Sequence, residues 1–160
     1  MRYFLDTNVF IFYAEGGKEL DKEVKYIFSD YENEIYVSSE VIKEVMHLIR
    51  YEKIEVEQWK EPNDVWKSID EWGFVVDYVK KEHIRSMGKL VMANEHKDPT
   101  DHIIIAHAIT NRMPIISSDT KFRHYKSQGL SLVFNNVDEK NKISGKQKRP
   151  TTKGKFGEKN

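Results

Sequence analysis

The sequence contains no cysteine among its 160 residues. This absence excludes a disulfide framework, thiolate-bound zinc or iron–sulfur clusters and a cysteine nucleophile. It also fits a reducing compartment, so we expect a cytoplasmic protein. No apolar run approaches the roughly 18 residues that would span a bilayer. The N-terminal stretch MRYFLDTNVFIFYAEGG has acidic breaks and no small-residue cleavage site, which favours protein core over a signal peptide. We therefore expect no membrane contact.

A net charge is also missing, since 26 basic residues balance 26 acidic ones. The balance is uneven along the chain: residues 138–160 contain eight Lys/Arg and three Asp/Glu, which leaves 18 basic and 23 acidic residues for 1–137. We therefore divide the chain into one domain, 1–137, and a basic C-terminal tail, 138–160. Such a tail indicates contact with a polyanion, although a solvated, flexible terminus is the simpler interpretation.

Short apolar runs alternate with helical patterns along residues 1–137. This alternation predicts an α/β sandwich with a parallel sheet covered on both faces. One predicted helix runs from about Lys80 to Glu95, with Ile84, Met87 and Val91 on one face. The predicted strands are Arg2–Asp6, Ile35–Val37, Phe74–Val76, Ile115–Ile116 and Leu132–Phe134.

Four acidic residues are predicted to meet at the carboxyl edge of this sheet, where ligands bind in open α/β folds. Asp6 ends the first strand and Asp119 follows the fourth. Glu44 lies about 7–8 Å along the helix that leaves the second strand. Asp101 lies in the first turn of the helix that feeds the fourth strand.

Each of these acids also has a structural interpretation. Asp6 could be a turn residue, Glu44 a solvated helix acid, and Asp101 and Asp119 residues that favour helix N-termini. Their convergence favours function, because clustered carboxylates repel one another and a divalent cation removes the conflict. Oxygen ligands without cysteine favour Mg²⁺ or Mn²⁺ over zinc.

Four sequence blocks, FLDTNVF, SSEVIKEV, DPTDHIIIAHA and IISSD, resemble the PIN-domain nucleases, and most closely the VapC-type toxins of toxin–antitoxin modules. The resemblance implies a three-layer α/β/α sandwich with a central, mostly parallel five-stranded sheet. It also implies cleavage of RNA with Mg²⁺ or Mn²⁺. The family's acids correspond here to Asp6, Glu44, Asp101 and Asp119, with Asn8 and Ser117 as accompanying polar residues.

The chemistry expected from this resemblance is hydrolysis of RNA phosphodiesters by one or two bound metal ions. Lys121 and Arg123, beside the fourth acid, are candidates for phosphate contact, although they could equally form an exposed helix face. We expect an antitoxin partner. A housekeeping RNA-processing nuclease and a non-catalytic interaction module with the same fold remain as alternatives.

Large aromatic residues are numerous for a chain with such short strands. Tyr31, Trp59, Trp66, Trp72 and Phe122 exceed what one small sheet is expected to bury. We therefore predict a homodimer, with residues 54–73 near a partner surface.

Overall fold

The central strand of the sheet is β1 (Arg2–Leu5), in a computed structural model that describes residues 1–93 and 95–137. The basic tail, 138–160, lies outside the described residues. All four strand pairings are parallel and the strand order is β3-β2-β1-β4-β5. Phe4 lies opposite Tyr36 of β2 and Ile115 of β4. The predicted parallel five-stranded sheet is confirmed. The other strands are β2 (Glu34–Ser38), β3 (Val75–Asp77), β4 (Ile115–Ser117) and β5 (Leu132–Phe134).

Helices cover both faces of the sheet. Parallel crossovers are right-handed, so helices between β1 and β3 lie on one face and those between β3 and β4 on the other. Phe4 packs on His107 of the second group, while its neighbours Tyr3 and Leu5 are also buried. No helix among the described residues is long and apolar enough to cross a bilayer. The helices are α1 (Thr7–Ala14), α2 (Lys22–Ser29), α3 (Ser39–Arg50), α4 (Asp64–Trp72), α5 (Lys81–Met87), α6 (Pro99–Asn111) and a 3-10 helix (Thr120–Gln128).

Polar side chains fix the starts of several helices. Asp6 accepts a hydrogen bond from the backbone N–H of Thr7 at the start of α1, and Ser38 accepts one from Glu40 in α3. Asp98 caps α6, whose first residue is proline. These caps place the first turns of three helices at the carboxyl edge of the sheet, because each helix begins where a strand ends or where α6 returns to that edge.

The prediction of a helix from Lys80 to Glu95 is wrong beyond its first turns, because α5 ends at Met87. Ile84 on its predicted inner face is 59% exposed. After α5 the backbone is held by side chains of the 3-10 helix: Gln128 bonds both the N–H and the carbonyl of Val91, at 2.9 and 2.8 Å. These tertiary bonds replace helical ones, which sequence periodicity could not reveal.

Most of the aromatic surplus is also buried within the chain. Trp59 is 4% exposed and stacks on Phe10, with ring centroids 5.7 Å apart. Trp72 packs edge-on against Phe10 and Tyr13. Tyr31 alone of the five predicted residues is wholly exposed. The aromatic residues of segment 54–73 therefore complete the core, and the idea that they are too numerous to bury is wrong.

Candidate active site

Four carboxylates from four separate elements meet at the carboxyl edge of the sheet. Asp6 follows β1 directly and Asp119 lies just beyond the neighbouring β4. Glu44 comes from α3 and Asp101 from the first turn of α6. The charge of Asp101 raises the pKa of both Asp6 and Glu44, and that of Asp119 raises the pKa of Asp101. The four predicted acids therefore lie close enough to repel one another.

Asp6 is the most deeply buried of the four, with 3% of its surface exposed. Its Oδ1 accepts from the backbone N–H of Thr7 and its Oδ2 from the hydroxyl of Ser117, both at 2.7 Å. Burial raises the pKa of Asp6 from 3.8 to about 7, and the charge of Asp101 adds to the effect. The two hydrogen bonds oppose this rise but do not cancel it. The site therefore disfavours the charged form of Asp6 while no cation is bound.

Glu44 is held by the residue that follows Asp6. The hydroxyl of Thr7 donates a hydrogen bond to Glu44 Oε2, while the backbone N–H of Thr7 binds Asp6. Burial is the main cause that raises the pKa of Glu44, and the charge of Asp101 is a further one. Glu44 is half-buried, next in sequence to the fully buried Val45 of α3. One threonine thus joins two acids from different elements.

Asp101 is bound by a histidine outside the four predicted motifs. His96 Nε2 lies 2.9 Å from Asp101 Oδ2, and His96 Nδ1 lies 2.9 Å from the hydroxyl of Tyr125. Burial raises the pKa of Asp101, and the hydrogen bond from His96 opposes that rise. Both His96 and Tyr125 are almost fully buried. The Asp101 carboxylate is therefore anchored through the protein interior.

Asp119 completes the group through a serine. Ser117 Oγ accepts from the backbone N–H of Asp119 at 3.0 Å while it donates to Asp6. Asp119 Oδ1 caps the 3-10 helix by accepting from the N–H of Lys121 at 2.9 Å. Ligand atoms of His96, Asp101 and Asp119 lie within 4.8 Å of one another. Asp119 thus has a capping role, and its position still lets its carboxylate share a cation with Asp101.

The four acids fit a divalent cation. Among residues 1–93 and 95–137, no lysine or arginine forms an ion pair with any of them. Uncompensated carboxylates in a desolvated site repel one another, and a hard cation with oxygen ligands relieves this repulsion. The donor set is carboxylate oxygens, which suits Mg²⁺ or Mn²⁺.

The predicted substrate-binding residues fall into two groups. Ser117 is fully buried and its hydroxyl is used by Asp6 and Asp119, so it orders the acids. Asn8 is exposed in the first turn of α1, and Lys121 is exposed in the 3-10 helix. Arg123 places its guanidinium 3.9 Å from the centre of the Phe134 ring. These last three side chains remain open to solvent for a larger ligand.

A second polar cluster lies at the end of β3, and the sequence analysis did not anticipate it. His107 Nε2 lies 3.1 Å from Asp77 Oδ2, and His107 Nδ1 lies 3.0 Å from Ser38 Oγ. Asn111 also donates to Asp77. Burial lowers the pKa of His107 to about 4, and the nearby His83 adds to the effect. These hydrogen bonds join α6 to β2 and β3. Because Ser38 and His107 are fully buried, neither side chain is accessible as a nucleophile.

The sequence model of the PIN domain family matches residues 3–128. A comparison with curated proteins gives no match. The structure is similar to VapBC2 from Rickettsia felis bound to a DNA fragment from its promoter, with a TM-score of 0.61 and 18% identity over 85% of this chain and 100% of that chain.

Two further solved structures show the same likeness. DNA-bound VapBC from Salmonella typhimurium gives a TM-score of 0.59 and 13% identity over 84% of this chain and 98% of that one. VapBC-5 from Mycobacterium tuberculosis, a member of a family of toxin–antitoxin systems, gives 0.56 and 16% over 85% and 98%. At these identities the likenesses establish a shared fold.

Proposed function

Since the chain belongs to the PIN-domain family, we propose that it is a metal-dependent endoribonuclease and the toxin of a type II toxin–antitoxin pair. One observation carries the proposal. Asp6, Glu44, Asp101 and Asp119 converge at the carboxyl edge of the sheet, and no lysine or arginine of the described residues pairs with them. An arrangement that destabilises the metal-free protein is expected where the same charges are needed for function.

These four carboxylates would hold Mg²⁺ or Mn²⁺. When bound, such a cation lowers the pKa of a ligated water and polarises a phosphoryl oxygen. Thr7 orients Asp6 and Glu44, while Ser117 orients Asp6 relative to Asp119. The protein's own contribution is therefore a fixed set of oxygens, and none of the acids needs to act as a nucleophile.

The proposed substrate is RNA. Residues 1–137 carry 18 basic and 23 acidic side chains, so they do not attract a polyanion by overall charge. Phosphate contacts must come from local cations, and Lys121 and Arg123 lie two and four residues after Asp119, in the 3-10 helix. Asn8, at the exposed start of α1, is a further contact close in sequence to Asp6. The basic tail would add contacts that depend on salt.

The proposed partners are a cognate antitoxin and a second copy of the chain. The three similar structures named above are all of VapBC, which supports an antitoxin. We expect the protein to act in the cytoplasm as a homodimer. A mass of one chain at all concentrations in light scattering would refute the dimer. A short neighbouring reading frame that encodes a DNA-binding protein would support the pairing.

The test of the proposed function is RNA cleavage by the purified full chain with Mg²⁺, Mn²⁺ or EDTA. We expect cleavage with either cation, none with EDTA, and a loss of most activity in Asp6→Asn and Asp101→Asn. Asp70→Asn, an exposed acid in α4, is the matched control and should cleave normally. Cleavage that EDTA leaves unchanged would refute metal dependence, and a folded protein that cuts no RNA would favour the interaction module.

A further inference from the structure

A buried chain of hydrogen bonds leads from the acidic site into the protein interior. It starts at Asp101 Oδ2, passes through both ring nitrogens of His96, and ends at the hydroxyl of Tyr125, with 2.9 Å at each step. The backbone N–H of Ala93 reaches the same hydroxyl at 3.3 Å. His96 is 1% exposed and Tyr125 is completely buried. The imidazole is therefore held on both sides at the edge of the site.

The direction of these hydrogen bonds follows from the groups that cannot change roles. The Asp101 carboxylate can only accept, so the proton between it and His96 lies on Nε2, and Nδ1 of the neutral ring accepts from the Tyr125 hydroxyl. The oxygen of that hydroxyl also accepts from the N–H of Ala93. A neutral imidazole that accepts at Nδ1 carries its proton on Nε2. That proton faces Asp101 Oδ2, and a carboxylate is an acceptor. The network thus fixes His96 as a donor to Asp101.

The backbone around His96 is fixed as well. His102, one turn into α6, places its Nε2 2.8 Å from the carbonyl oxygen of His96. The rings of His96 and His102 meet edge-on with centroids 4.7 Å apart. This contact ties the irregular segment before α6 to the helix that carries Asp101. Movement of His96 relative to Asp101 is therefore restricted from two directions.

We propose that His96 is a positioning residue for the metal site: it binds one oxygen of Asp101 and leaves the other to the cation. This inference rests on the proposed function. Direct ligation by His96 does not fit the geometry, because Nε2 is used by Asp101 and Nδ1 by Tyr125, so the ring has no free lone pair. Groups that orient metal ligands in this way typically contribute 10- to 100-fold in metal affinity.

Mn²⁺ binding by the full chain, measured from the free-ion electron paramagnetic resonance signal at one pH, tests this role without RNA. His96→Ala should bind Mn²⁺ about 10-fold more weakly or worse. His96→Gln, whose amide can place a donor near the Nε2 position, should recover much of that loss. Tyr125→Phe keeps the ring and its packing and should give a smaller loss. His47→Gln, at an exposed histidine of α3, should bind like wild type.

A spectroscopic measurement on the metal-free protein separates positioning from packing. Long-range ¹H–¹⁵N spectra should show His96 protonated at Nε2, with a resonance that shifts in Asp101→Asn and in Tyr125→Phe. Wild-type affinity in both His96 variants, or a nitrogen bound directly to Mn²⁺ in spin-echo spectra, would overturn the positioning role. A wild-type protein that binds no Mn²⁺ would refute the proposed function and the role of His96 together.

Discussion

Replacing Asp6 by asparagine should make the metal-free protein more stable at neutral and alkaline pH. The pKa of this carboxyl is raised from 3.8 to about 7, chiefly by burial and then by the charge of Asp101. The folded state therefore binds a proton more tightly than the unfolded state does. Protonation of Asp6 therefore stabilises the folded state. This stabilisation is fully present below about pH 4 and is lost as the pH rises through 7.

The size of the effect follows from the same shift. At about 1.36 kcal/mol for each pKa unit, the shift of Asp6 corresponds to at most about 4 kcal/mol. Asparagine removes the charge, caps helices as well as aspartate and can still accept from Thr7. Ser117 must reverse its hydroxyl to accept from the new amide, which offsets part of the gain. We expect a net increase of about 2 to 3 kcal/mol at pH 8.

Urea unfolding of wild type and Asp6→Asn, with EDTA, should be measured between pH 4 and 8. The variant should be more stable at pH 8, and the difference should shrink as the pH falls towards 4. Asp64→Asn is a control of opposite sign, because the Asp64 carboxylate accepts from two backbone N–H groups that lower its pKa. A variant less stable than wild type at pH 8 would refute the view that the ionised Asp6 carboxylate destabilises the metal-free fold.

Three further outcomes follow from the fold. Burial lowers the pKa of His107 from 6.5 to about 4 in the folded protein. The free energy of unfolding of wild type should therefore fall by about 3 kcal/mol between pH 6.5 and 4, relative to that of His107→Gln. Urea unfolding profiles that stay parallel over this pH range would contradict this. Trp59→Ala should destabilise the protein by about 3 to 5 kcal/mol in thermal unfolding, since it removes a buried ring stacked on Phe10, whereas a loss below 1 kcal/mol would place this segment outside the core. Truncation after Val137 should keep the fold by circular dichroism but weaken RNA binding and flatten its salt dependence, by about 0.7 in slope for each lost phosphate contact. Identical slopes would show that the tail does not touch RNA.

The sheet and the four acids could be predicted because they depend on local patterns. Buried parallel strands are short apolar runs, and acids directly after them share one edge. The same reasoning applies equally to Asp77, which ends β3 but binds His107 and Asn111 instead of joining the site. One strand, β2, lies between β3 and β1, so the two are two strand spacings, or roughly 10 Å, apart. The position of an acid along its strand is thus predictable, whereas its partner depends on packing.

The supporting residues of the site could not be found in this way. His96 belongs to an irregular segment after α5, where no periodicity places a side chain, and its partner Tyr125 is 29 residues away. The periodicity of 80–95 instead indicated a helix, because Ile84 and Val91 occur at helical spacing although both are exposed. The sequence offers one indication that Thr7 belongs to the site, because it stands between Asp6 and Asn8 in the LDTN block. Its hydroxyl contact with Glu44, however, depends on how α1 and α3 pack.

The role of the four acids as a metal site can be tested by locating Mn²⁺ in crystals grown with the cation, by anomalous diffraction near the manganese edge. We expect a peak among the carboxylates of Asp6, Glu44, Asp101 and Asp119, with His96 bound to Asp101 and not to the metal. The same crystals of Asp6→Asn should show a much weaker peak. A wild-type peak elsewhere on the molecule, or the four acids paired with cationic side chains and no metal, would show that these carboxylates do not form the metal site.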